Sequence, residues 1–211
     1  MATWVKFCGC TSLDDVALAA QTGADAFGMI FAPSPRRIAW EAAEAIARRI
    51  NTSAIEPVAV VVDPTNEELS AVRALFPTAL IQFSGNESAD FVASCGARAM
   101  KAIHVGDDAN PASVARACWP FARARILFDT KAGSAGGSGV SFPWATVAGI
   151  SGEREVVIAG GLTPENVGAC VAQLAPFGVD VRSGIETGGR KDVEKMRAFV
   201  RAVREAECVR A

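Results

Sequence analysis

An α/β fold, a single (β/α)8 TIM barrel over residues 1–211, is predicted by three observations on this chain. Eight short β-branched or apolar runs recur, helix-forming stretches rich in Ala, Leu, Glu and Arg separate most of them, and the period averages about 25 residues. That period leaves room for one helix and two short loops per unit, as right-handed βαβ crossovers require. Even spacing, and no Gly-x-Gly-x-x-Gly after the first strand, favour closure over an open doubly wound sheet.

In chain order the expected strands are Trp4–Phe7, Ala26–Phe31, Pro57–Val62, Ala79–Phe83, Ala99–Ile103, Arg125–Phe128, Glu155–Ala159 and Gly178–Val181. Ser12 is placed to cap a helix over Leu13–Ala20, and Thr65-Asn-Glu-Glu68 has the spacing of a capping box. Thr163-Pro164-Glu-Asn166 repeats the signal with proline at the first helical position. Helix signals are weakest after the fourth and sixth strands, where Gly133–Gly139 lengthens the sixth loop at its helix's expense.

The composition, 50% apolar and 21% charged, suits a filled core and excludes a disordered or fibrous chain. With 21 Lys and Arg against 23 Asp and Glu, the net charge of -2 offers no footprint for nucleic acid. Neither a membrane-spanning stretch nor a secretory leader is legible, so a cytoplasmic protein is expected. Six scattered cysteines are expected as free thiols. One histidine, His104, and no Cys-x-x-Cys make a zinc site improbable, and the expectation is chemistry without a cofactor.

In such a barrel the C-terminal strand ends build the active site. Period-2 alternation puts Lys6 and Cys8 on one face, where an ammonium would lower the thiol's pKa and make Cys8 a base or nucleophile; a small buried cysteine is the plainer alternative. Asp129 ends the apolar run of the sixth strand, where partial desolvation would raise its pKa and suit it to general acid work; a loop cap is the alternative, and one that fits Asp63 better. The glycine-rich loop after Asp129 suits a cover for a substrate. Gly160 and Gly161 after strand seven, with Ser183 and Gly184 after strand eight, together suit a phosphate. His104, expected just after strand five, stays outside the catalytic set.

Several fragments, in order, resemble the phosphoribosylanthranilate isomerases of tryptophan biosynthesis. They are Val5–Gly9, Phe31–Arg36, Gln82–Gly85, Phe128-Asp129 with Gly136–Gly139 and Phe142–Trp144, Ala159–Leu162 with Pro164–Val167, and Val179–Glu186 with Lys191-Asp192. The resemblance implies that Cys8 is the general base and Asp129 the general acid of an Amadori rearrangement. It also implies substrate contacts at Lys6, Arg36, Gln82, Gly137, Gly160, Gly161, Ser183 and Gly184, with Arg36 on the anthranilate carboxylate and the adjacent Arg37 as the alternative. A small phosphoribosyl substrate and a monomer or homodimer are further expectations. Ser84, Arg182 and Pro143 stand where the family commonly has histidine, serine and aspartate. Two other readings keep the barrel: a Schiff-base aldolase, for which Lys6 and Lys101 are the strand lysines, and a phosphoribosyl-binding protein without turnover.

Overall fold

The computed structural model describes residues 2–50, 54–106, 108–130, 142–151 and 154–210. Eight parallel strands close into a barrel in chain order, β8 pairing with β1 through Lys6↔Asp180 and Phe7↔Val181. The strands are β1 Trp4–Cys8, β2 Ala26–Ile30, β3 Glu56–Val61, β4 Leu80–Phe83, β5 Ala99–Val105, β6 Arg125–Thr130, β7 Val156–Ile158 and β8 Gly178–Val181. Helices α1 Leu13–Gln21, α2 Trp40–Arg49, α3 Asn66–Leu75, α4 Ala89–Ala93, α5 Pro111–Cys118, α6 Ala148–Ser151, α7 Val167–Leu174 and α8 Val193–Arg210 follow them in turn. Among the described residues no helix is long and apolar enough to cross a membrane.

The local signals act as their chemistry requires. The Ser12 side chain accepts from the Asp15 amide, and Thr65 and Glu68 close the capping box of α3. Strand bounds shift from the expected ones by one or two residues, and two changes bear on the site. β5 runs on to Val105 because its ladder with β6 continues through His104↔Asp129 and Val105↔Thr130, so His104 and Asp129 lie inside paired strands. Helix α7 begins at Val167 rather than at Pro164. Thr163–Asn166 form a turn instead: the Asn166 side chain accepts from the Thr163 amide (2.8 Å) and donates to Gly161 O (2.9 Å), anchoring the loop after β7. Helices α4 and α6 are the short ones, five and four residues. The Gly133–Gly139 stretch lies outside the described residues.

Alternation sorts each strand into two layers. Outward-facing Phe7, Phe27, Ile81, Phe83, Phe128 and Val179 join the helices in the main core. Inward-facing Ala26, Val58, Leu80, Met100, Ala102, Leu127, Val157 and Ala159 fill the barrel itself. At its base the Arg125 guanidinium lies 4.3 Å from the Phe177 ring centre and 5.2 Å from that of Trp4, a cation–π plug. Above this floor the inward positions turn polar, with Lys6, Gln82, Asp129 and Asp180.

Lys101 faces outward, away from that interior. Its ammonium bonds Gly85 O (2.7 Å), Phe83 O (3.2 Å) and the buried Glu87 carboxylate (3.0 Å), pinning the loop after β4. It is therefore removed from the lysines a Schiff-base reaction would use. Lys101→Met strands the Glu87 carboxylate without its cation, and urea unfolding is expected to show a loss of about 3–5 kcal/mol.

Candidate active site

The C-terminal mouth of the barrel holds a cavity of about 700 Å³. Its wall includes Cys8, Gln82, Asp129, Gly160, Gly161 and Ser183, joined by Ser84, His104, Thr130, Asp180 and Arg182. Six of the ten residues expected at the site thus meet in one concavity. Lys6 lies beneath it, fully buried. Gly184 and Arg36 are not among the residues that line it, and Gly137 lies outside the described residues.

Strand β1 sets the base of the site. Lys6 and Cys8 both point inward, and the space they occupy exists because Gly28, paired with Cys8 across β1 and β2, has no side chain. A Cβ there would stand 3.0 Å from both the Cys8 Sγ and the Lys6 Nζ. The Lys6 ammonium donates to Asp180 at 2.8 Å. Burial alone would pull its pKa down, but Asp180 and Cys8 outweigh that and hold it above the ordinary lysine value.

The expectation that Lys6 lowers the thiol's pKa is corrected. Burial is the largest influence on Cys8 and raises its pKa; Lys6 lowers it, but Asp180 beside the lysine raises it again, and the net shift is upward. Cys10, past the left-handed Gly9 (φ 76°), points into the outer core, donates to Phe7 O (3.6 Å), and is pushed up to about 12 by burial.

Asp129 behaves as expected. Burial raises its pKa first and the Asp180 charge adds to this, against opposing contributions from His104, the Thr130 backbone and Arg182. Two glycines allow close packing here, Gly160 of the loop after β7 against the end of β6, and Gly184 of the loop after β8 against the loop after β7. Gly160 has a left-handed φ of 79°, and a Cβ on it would stand 2.3 Å from Thr130 Oγ1; a Cβ on Gly184 would stand 2.0 Å from Leu162 O. Gly184→Ala is expected to push the two loops apart and cost about 1–3 kcal/mol in thermal unfolding. Ser183 opens a single helical turn, Ser183–Ile185, whose leading amides have no partners within the turn.

Gln82 donates to Ser84 Oγ (3.2 Å), and its buried Oε1 has no partner among the described residues, leaving an acceptor beside the cavity. His104 Nε2 lies 3.1 Å from Ser84 O. Arg36 and Arg37 diverge. Arg36 forks onto Glu186 through Nε (3.3 Å) and Nη2 (2.9 Å), whereas Arg37 lines a separate groove with Trp40 and Glu68. Glu186 also accepts from Lys191 (3.1 Å), and these two cations outweigh burial to keep its pKa low. Asp63 is a loop tie, its Oδ1 accepting from the Asn86 amide at 2.6 Å.

Sequence reasoning overlooked Gly28, Asp180 and Glu186, and set His104 aside. Asp180 was the findable one: alternation puts Gly178 and Asp180 on the inward face of strand eight, and a carboxylate there interrupts an apolar lining. Among the described residues no cluster of His, Cys, Asp and Glu is arranged to hold a metal.

The family model for N-(5'-phosphoribosyl)anthranilate (PRA) isomerase matches residues 5–202. The chain is 40% identical to the N-(5'-phosphoribosyl)anthranilate isomerase of Desulforudis audaxviator, covering 97% of this chain and 99% of that one. It is similar to the crystal structure of phosphoribosyl anthranilate isomerase from Thermotoga maritima, with TM-score 0.85, 32% identity and coverage of 96% and 99%. A second solved isomerase, holding reduced 1-(o-carboxyphenylamino)-1-deoxyribulose 5-phosphate, has TM-score 0.82 at 30% identity, with the same coverage.

Proposed function

The chain belongs to the N-(5'-phosphoribosyl)anthranilate isomerase family, and from that premise we propose that Cys8 and Asp129 are the base and acid with which it isomerises phosphoribosylanthranilate in tryptophan biosynthesis. The observation that carries the assignment is their meeting in one cavity, with the glycine ends of β7 and β8 on the same wall.

The steps follow from these groups. Asp129, its pKa raised, gives a proton to the ribose ring oxygen. The C1–O bond breaks as the anilino nitrogen's lone pair forms a C1=N Schiff base. Cys8 as thiolate then takes the C2 proton, and the electrons of that C–H bond move to C1–C2 while the C=N electrons return to nitrogen. The resulting enolamine loses its hydroxyl proton and gains one at C1, giving the ketone. Proton transfer of this kind is worth about 10² to 10⁴-fold for each group, and the sequence needs no metal or organic cofactor.

Lys6 supports this chemistry from below by holding Asp180 in place and facing the forming thiolate. Gly160, Gly161, Ser183 and Gly184 receive the phosphate, and Gln82 offers its free Oε1 to a sugar hydroxyl. Arg36, oriented by Glu186, turns the other edge of its guanidinium to the anthranilate carboxylate. The protein acts in the cytoplasm as a monomer or homodimer; one structural relative is a monomer generated from the dimeric isomerase of Thermotoga maritima. Loss of substrate fluorescence on adding purified protein to phosphoribosylanthranilate tests the reading, and light scattering tests the assembly.

A further inference from the structure

Arg182 directly follows β8, at the start of the turn Ser183–Ile185, and lines the cavity mouth. No hydrogen bond or ion pair holds its guanidinium among the described residues, although its charge reaches Asp129. Its stem lies across the bare backbone of Gly9. Arg182 Cγ and Cδ stand 3.3 and 3.4 Å from the place a Gly9 Cβ would take, and Arg36 Cβ is 3.4 Å from the same point. The two arginines therefore converge above the loop after β1. Only one of them is already neutralised: the Nε and Nη2 edge of Arg36 is occupied by Glu186.

We infer that Arg182 is a second carboxylate-binding cation, gripping the anthranilate carboxylate beside Arg36 and setting specificity for an acidic aromatic amine. The direction of its stem supports this end of the substrate. It leans over Gly9 on the β1 side, against the stem of Arg36. A carboxylate between two guanidinium groups gains charge-assisted hydrogen bonds from both.

The inference rests on the isomerase reading, and wild-type turnover of phosphoribosylanthranilate tests that reading separately. Arg182→Gln keeps length and removes charge. Its KM for phosphoribosylanthranilate is expected to rise roughly 10- to 100-fold, with kcat within a few-fold. With N-(5-phosphoribosyl)aniline, which lacks the carboxylate, wild type and Arg182→Gln should have equal kcat/KM, and Arg182→Lys should recover part of the loss on the natural substrate. An equal loss on both substrates would move Arg182 to the phosphate, and an unchanged KM on both would remove it from the site; either overturns the inference. Melting curves accompany each assay, and Arg182→Met carries the same comparison if the glutamine variant melts early.

Discussion

Replacing Cys8 by alanine is expected to lower kcat by about 10² to 10⁴-fold while KM for phosphoribosylanthranilate changes little. The thiol is 6% exposed, at the top of a small apolar group with Ile30, Ala32 and Val60, so truncation removes the proposed base without opening the barrel. Cys8→Ser is the sharper variant, since it keeps shape and a hydrogen-bonding group but not an ionisable thiol. The pH dependence carries a sign. A base works deprotonated, and the pKa of Cys8 is raised, so with Asp129 neutralised by mutation the residual rate should climb with pH as the thiolate forms. Turnover of Cys8→Ala at the wild-type rate removes the thiol from the mechanism.

Asp129→Asn is expected to cost a similar factor in kcat, because the amide keeps the geometry of β6 but has no proton to give to the ring oxygen. The acid works protonated, and its pKa is also raised, by burial and by Asp180. In Cys8→Ser, where only this group remains, residual activity should fall as pH rises through the Asp129 pKa. Wild type combines both requirements. With the thiol's pKa above the carboxyl's, the profile is a bell whose acidic limb is Asp129 losing its proton and whose alkaline limb is Cys8 losing its own. Each single variant should therefore lose one limb, the opposite one in each case. A bell that survives intact in Asp129→Asn would assign its acidic limb to another group.

Much of this was legible in the chain. The strand cores are visible because a parallel barrel buries both faces of each strand, which leaves near-continuous apolar runs such as Pro57–Val62. Cys8 and Asp129 are visible because they interrupt or end such runs at the rim where loops gather. Helix starts at Ser12 and Thr65 are local hydrogen-bond chemistry, complete within four residues. Strand ends were less legible: β5 and β6 lengthen each other through cross-strand pairs that neither run reveals alone.

The sequence by itself therefore determined the barrel, the rim residues and the glycine ends of β7 and β8, since each follows from spacing, alternation or backbone freedom within a short segment. The tertiary structure alone decided the electrostatics. Lys6 and Cys8 share a face in any reading of β1, but the thiol's shift is set first by how deeply the barrel mouth buries it, with Asp180, 174 residues from Lys6 in the chain, adding to that rise against the lysine. Likewise Arg36 and Arg182 are two arginines in sequence. Only the fold engages one with Glu186 and leaves the other facing the cavity, because a charge is set by the partners and solvent around it rather than by its neighbours along the chain.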